Sequence, residues 1–207
     1  ALPYAMQVKG QDFPMHEPRY KQGMGLGYAV SVTGADHVHN IHDSMYQRAA
    51  SLDGVRSLGI LEPLPAGDLS LRKVRLLIYG TLDQAVCNHL HLCVFQPYSS
   101  LQKVEILQAV TGWNSSLWEL LKISERGMAL ARLFSAREGL VGPEWDDLPP
   151  RMFEPFADGP LAGVALDRAA FLEARRAYYA MLGWDERGVP TRDKLAELDV
   201  EWAAREI

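Results

Sequence analysis

The chain predicts a mainly α fold, a helical domain of about five to seven helices joined by irregular loops. Two observations carry that reading. Apolar residues recur at helical spacing in separate blocks along the 207 residues, and those blocks are bracketed by Ser, Thr or Asp in front and Gly behind, the residues that start and stop helices. An alternating polar-apolar run, Asn88-His89-Leu90-His91-Leu92-Cys93-Val94-Phe95, reads as an extended segment or a tight helix exit.

Taken in order, residues 1–20 read as an extended connector from a missing upstream domain, and 21–207 as the helical domain. Pro14 and Pro18 push the residues before them to extended backbone, so no helix starts before about residue 19. Small residues then dominate from Gly23 to Val32 (Gly23, Gly25, Gly27, Ala29). A helix with such a face admits another backbone, a neighbouring helix or a bulky cofactor. Residues 51–70, with Gly54, Gly59, Pro63, Pro65 and Gly67, form an irregular excursion.

From Leu71 to about Asn88 the positions Val74, Leu77, Ile78, Leu82, Ala85 and Val86 keep helical spacing. Ser99 or Ser100 caps the next helix, with Val104, Leu107 and Val110 as its apolar face and Gly112 as its stop. A long helix runs from Ser115 or Ser116 to Arg137 or Glu138, its stripe being Leu117, Leu120, Leu121, Met128, Leu130, Ala131 and Phe134, with Gly139 behind it. Asp167 opens another, through Phe171, Leu172, Ala174, Tyr178 and Leu182 to Gly183. Thr191 opens a last one through Leu195, Leu198 and Trp202.

Composition narrows the function. A hydrophobic fraction of 48% and a charged fraction of 23% are those of a soluble globular chain. No apolar run approaches the roughly 18 residues needed to span a bilayer, and no secretory leader opens the sequence, so a cytoplasmic setting is expected. With a net charge of -5 and scattered basic residues, a nucleic-acid surface is not expected. Two cysteines are too few for a disulfide framework and suit a reducing compartment.

Several phrases in order resemble one family. They are Val8-Lys9-Gly10 followed by Glu17-Pro18-Arg19; Gly25-Leu26-Gly27-Tyr28-Ala29-Val30-Ser31 with Gly34-Ala35-Asp36-His37; Asn88 through Cys93; Arg132-Leu133-Phe134 with Arg137-Glu138-Gly139 and Asp146-Asp147-Leu148-Pro149-Pro150-Arg151; and Tyr178-Tyr179 with Gly183-Trp184-Asp185-Glu186, Gly188-Val189-Pro190-Thr191 and Lys194-Leu195. Together they resemble the tungsten-containing aldehyde ferredoxin oxidoreductases over nearly the whole chain. Residues 43–75 look like an insertion.

The resemblance implies an enzyme that oxidises aldehydes with water to carboxylic acids. It would use tungsten (or molybdenum) held between two molybdopterin dithiolenes, and pass electrons through a [4Fe-4S] cluster to ferredoxin. The chain looks like the last, helical domain, whose partners are the upstream domains of the same polypeptide. Cys93 falls at the cluster-ligand position. Asn88, His91 and Leu92 lie in the segment similar to the pterin-contacting motif Asp-x-x-Gly-Leu-Cys. Asn88 stands where that motif has Asp, which leaves an acceptor oxygen without the charge, and His91 stands where it has Gly. His37 matches the histidine of a Gly-Ala-x-His step near the metal and is the catalytic candidate, able to donate a hydrogen bond or move a proton. The isolated chain is expected to be inactive and free of cofactor, since one cysteine cannot replace four thiolates.

Two other readings stand beside this one. His37, His39 and His42 together with Cys87, His89, His91 and Cys93 could make a His/Cys metal-binding module, although no common zinc-finger spacing is present. The domain could also be a helical interaction module without catalysis. Cys87 reads as packing, the aromatics Trp113, Trp118, Trp145, Trp184, Tyr178 and Tyr179 as core and interdomain contacts, and Arg137, Glu138, Asp146, Asp147 and Arg151 as a salt-bridged loop clamp. His37 and residues 88–93 are expected to converge around one shallow cavity.

Overall fold

Helix starts follow the oxygen-bearing side chains that meet their first amides. The computed structural model describes residues 4–206, and these form α1 (Gln22–Val30), α2 (Leu71–His89), α3 (Ser100–Thr111), α4 (Leu117–Arg137), α5 (Arg168–Met181) and α6 (Arg192–Glu197). The fold is mainly α, as the periodicity predicts. Ser99 and Ser116, rather than the neighbouring serines, are the caps of α3 and α4. Each accepts from the amide three residues on, and Gln102 and Glu119 reach back to the cap amides. Asp167 and Thr191 cap α5 and α6. None of these helices is long and apolar enough to cross a membrane.

Helix ends show a second device. The α4 exit at Gly139 and the α5 exit at Gly183 use a left-handed glycine, with the paired carbonyl acceptors of a Schellman motif. The α6 exit uses Asp199 at φ 58, where Val200 N donates to Leu195 O at 2.9 Å. That turn ends the last expected helix early, and Trp202 lies instead on a separate 3-10 turn, Glu201–Glu206. The α2 exit is built the same way on His91, at φ 55. Leu92 N donates to Cys87 O at 2.8 Å and His91 N to Asn88 O at 3.3 Å. The 88–95 run is therefore a tight helix exit.

The main core joins α1, α2, α4 and α5 through Met24, Leu26, Tyr28, Val74, Leu76, Leu77, Leu121, Phe171 and Tyr178. Residues 43–58 form three short 3-10 turns, and Leu52, Leu58, Ile60 and Leu64 of this region are buried in the same core. A segment that reads as an excursion is thus integral packing. The stripe of α4 also differs from expectation. Ala129, Arg132 and Leu133 face inward while Phe134 is 58% exposed, because the phase follows a buried arginine rather than apolar content alone.

That arginine belongs to a buried hub. Asp146, 0% exposed, accepts from Arg132 Nη1 at 3.0 Å and also from Arg132 Nη2 and the Tyr179 hydroxyl. Lys9 Nζ lies 2.7 Å from Asp146 Oδ1. The ammonium also donates to the carbonyls of Ala29 and Ser31, each at 2.6 Å, at the end of α1. Arg132 Nε reaches the Gly188 carbonyl at 2.7 Å. Lys9 comes from the turn of a small antiparallel hairpin, β1 (Gln7–Val8) with β2 (Gln11–Asp12), so residues expected as a connector are tied into the domain. The expected loop clamp resolves into separate pairs: Asp146 turns inward, Asp147 pairs with Arg168 at 2.6 Å, and Arg137 with Glu138 at 3.1 Å on the surface.

Two stability measurements follow. Asp146→Ala leaves two buried cations without their counter-charge and should cost about 3–5 kcal/mol in urea unfolding; a loss as small as that of a surface ion pair would show the hub to be dispensable. His91→Gly relieves a left-handed side chain and should add about 1 kcal/mol. A neutral or destabilising result would mean the imidazole makes compensating contacts.

Candidate functional site

The last turn of α2 presents Asn88 and His89 at the surface, and the turn after it carries His91, Leu92 and Cys93. Asn88, His89, His91 and Cys93 are exposed and Leu92 is half-buried. Cys93 is a free, exposed thiol, whereas Cys87, one turn back in α2, is buried as packing. Because Leu92 N is spent on the Cys87 carbonyl, the chain leaves the helix in one fixed direction. The left-handed backbone at His91 is the conformation a glycine would adopt freely, so the departure from Gly alters the side chain and not the turn.

A cavity of about 270 Å³ opens beside this exit. Asn88, His89 and His39 line it together with Asn40, Ser124, Gly127, Tyr178 and Trp184. Gly127 lets α4 approach α2 closely, since a Cβ there would overlap the His89 ring. The His89 ring is fixed by Nδ1, which lies 2.7 Å from the Ala85 carbonyl. His39 is held by Asp36, whose Oδ2 lies 2.5 Å from His39 Nδ1, and Asp36 Oδ1 accepts from Val38 N at 2.6 Å. Gln84 Nε2 donates to the Val38 carbonyl at 3.0 Å and so docks the loop on α2.

His37 takes a different place. Its ring packs against those of His16 and His42, with centroids 5.2 Å and 5.9 Å away, and it is not among the residues lining the cavity. Lys21 Nζ stands 3.3 Å from His16 Nδ1 and 3.4 Å from His42 Nδ1. Burial, and then the Lys21 charge, lower the pKa of His16 and bring that of His42 down to about 4. Both rings are therefore neutral near pH 7 and accept from the Lys21 ammonium. The small-residue helix α1 serves this arrangement from behind. Gly23 gives room to Asp43 and Lys73, and Gly27 to the side chain of Asn40.

The predicted residues thus fall into two groups. Asn88 shares a cavity with His39, and His37 joins a histidine cluster on the same loop. The His/Cys run does not gather into a metal module; among the described residues no group of three His, Cys, Asp or Glu side chains converges as a metal site. Cys93 offers one exposed thiol, whereas an iron-sulfur cluster takes four such donors. The sequence reading named His39 only within the metal-binding alternative, and it missed Ser124 and Gly127. The spacing of Asp36 to His39 was the available signal for the first; nothing local distinguishes the other two.

Residues 1–200 match the family model of aldehyde ferredoxin oxidoreductase, domains 2 and 3. The tungsten-containing aldehyde ferredoxin oxidoreductase of Pyrococcus horikoshii is 32% identical over 97% of the chain, and that of Thermococcus kodakarensis 31% over 95%. The aliphatic sulfonate oxidoreductase, WOR-like subunit, of Pyrococcus furiosus is 28% identical over 99%. The chain spans about a third of the length of these curated relatives, 31% of the first. Among solved structures, the active site complex BamBC of benzoyl coenzyme A reductase shares the fold, with a TM-score of 0.54 at 17% identity, covering 94% of this chain and 32% of that one. The chain belongs to the aldehyde ferredoxin oxidoreductase family of oxidoreductases.

Proposed function

We propose that the chain is the C-terminal, cofactor-facing part of a tungstopterin (or molybdopterin) oxidoreductase that oxidises aldehydes to carboxylic acids and passes the electrons through a [4Fe-4S] cluster to ferredoxin. The observation that carries this reading is the α2 exit, which sets Asn88 on the cavity and the exposed Cys93 thiol just beyond one rigid turn. The names of the relatives, tungsten-containing aldehyde ferredoxin oxidoreductases, support the substrate and the metal.

When bound, the metal-pterin group accepts the two electrons released as an aldehyde and water become a carboxylic acid. The chain's own residues would do the rest. The Asn88 amide oxygen would accept from pterin N–H groups, beside the fixed turn at His91 and Leu92. Cys93 supplies one thiolate to the cluster. His39 lines the cavity, and the Asp36 carboxylate contacts Nδ1 and orients its ring, leaving Nε2 to take a proton. His37, two residues before it, packs against the neutral rings of His16 and His42, outside the cavity lining.

In the full-length enzyme, Cys93→Ala should abolish the cluster, read as iron content and cluster absorption, with the helical circular dichroism intact; normal iron content would remove Cys93 from the ligand set. His39→Ala should lower kcat by about a hundredfold, the lower range for general acid-base groups, and a wild-type rate would reassign the proton acceptor. The His42 shift gives a stability signature. Its folded pKa of about 4 lies below the ordinary 6.5, so the unfolded chain takes up the proton first as pH falls. Stability from this group is complete above pH 6.5 and declines toward pH 4. Thermal melts of His42→Gln across that window should fall less steeply than wild type; identical slopes would contradict the assignment.

A further inference from the structure

The depth of the cavity holds polar groups that the proposed chemistry at its rim does not use. Ser124 lies on α4 and is 0% exposed, and its hydroxyl has no hydrogen-bond partner among the described residues. A helical serine has an inexpensive default, a bond back to the carbonyl four residues earlier. Ser135 and Thr111 both take it, at 3.2 Å to Ala131 O and 2.7 Å to Leu107 O. Ser124 does not, and it lines the cavity instead. Beside it stands Tyr178, 3% exposed. Its hydroxyl is kept protonated by burial, which raises its pKa, and is directed only at the thioether of Met128, 3.8 Å away. A buried hydroxyl without a partner is costly, and a thioether is a weak acceptor. Two hydroxyl-bearing residues in that condition lining one cavity mark a place suited to a polar atom.

The surroundings define what carries that atom. Much of the remaining lining is apolar, with Val30, Leu77, Met128 and the edge-packed pair Tyr178 and Trp184, whose ring centroids are 5.8 Å apart, beside the small polar side chains of Thr33 and Thr81. Asn88 and His89, also in the lining, are exposed, whereas Ser124 and Tyr178 are buried, so polar groups stand on the solvent side of the cavity and the two hydroxyl-bearing residues on its buried side. Its volume of about 270 Å³ exceeds the roughly 150 Å³ of an apolar cavity that accepts benzene, enough for one substituted ring. No charged side chain lines the cavity apart from what the two histidines can carry, so a neutral tail is favoured over an anionic one.

We infer that Ser124 and Tyr178 form a specificity floor that reads a hydroxyl group on the far end of a ring-sized, otherwise apolar aldehyde, whose reacting carbon points to the Asn88 and His39 rim. The inference rests on the proposed aldehyde chemistry for the orientation of the ligand. The recognition itself is a binding property of the cavity. A hydroxyl can accept from Tyr178 and exchange a hydrogen bond with Ser124, whereas a methyl group of similar size would leave both unpaired.

The test is a ligand-observed NMR titration of the protein with para-hydroxybenzaldehyde and with para-methylbenzaldehyde. Wild type should prefer the hydroxyl compound by about tenfold, the ratio expected when a buried donor goes unsatisfied in the competing complex. In Ser124→Ala, a substitution a helix accepts readily, the ratio should fall toward one. In Tyr178→Phe, which keeps the aromatic wall, it should fall in part. Equal affinities in wild type, no binding of either compound, or an unchanged ratio in Ser124→Ala would each overturn the inference. Oxidation is not measured, so an enzyme inactive toward aldehydes would sink the proposed function and leave this preference standing. A preference that vanishes in an active enzyme would do the reverse.

Discussion

The buried carboxylate of Asp146 is the constraint on which the rest of the domain depends. One anion sits between two cations, Lys9 and Arg132, in a region from which water is excluded. Coulomb attraction is strong there, and so is the penalty for leaving any member unpaired. The partners come from parts of the chain that no local force would bring together: a hairpin turn near residue 9, the middle of α4, the end of α5 through Tyr179, and the turn at Gly188. Apolar burial can draw these elements into contact without choosing a register. The bidentate geometry of Arg132 on Asp146 does choose one, because sliding α4 by a residue would break both hydrogen bonds at once.

The consequence for the site runs through Lys9. Its ammonium holds the carbonyls of Ala29 and Ser31, where α1 gives way to the loop of His37 and His39. The other end of that loop is fixed by a second buried ion pair. Asp43 accepts from the amides of Gly23 and Met24 at the start of α1 and from Lys73 of α2. Both ends of the loop are therefore anchored to α1, one at each terminus of the helix, and Gly23 gives Asp43 and Lys73 room to approach. With its ends held this way, the loop can carry Asp36 and His39 at a defined place over α2. Arg132 also lies over the Trp184 ring, 5.2 Å from its centroid, so the hub supports the cavity wall as well as the loop.

How much of this was legible in the sequence depended on whether the signal was local. Caps, glycine stops and apolar periodicity act over one or two helical turns, and the helices they predict at 71, 100, 117, 168 and 192 are all present. What could not be read were features set by distant partners. The inward face of α4 is one case, because a buried arginine looks polar until Asp146 is known to meet it. The packing of residues 43–64 is another: Gly and Pro there signal irregular backbone, but irregular backbone can be buried when its side chains fill the core. At the site, the phrase from Asn88 to Cys93 was legible as a unit because its turn closes on itself. The histidines were not. His37 and His39 are both plausible from the sequence, and only the Asp36 contact and the docking of Val38 on Gln84 separate them.

Several unfavourable features of the domain lie around the cavity and the loop beside it, while the compensating ones lie elsewhere. His91 occupies a left-handed conformation, Ser124 buries a hydroxyl without a partner, and His42 is held neutral at a cost that grows as pH falls. Each opposes folding. Stability comes instead from the main core of α1, α2, α4 and α5 and from the two ion-pair anchors. This separation has a physical rationale. A polar group already satisfied by the protein has little to offer a ligand, so a recognition surface must keep some of its hydrogen-bonding capacity unspent. The scaffold can carry that cost only if the anchors are rigid enough to stop the unspent groups from finding partners of their own, and the buried pairs at Asp146 and Asp43 supply that rigidity.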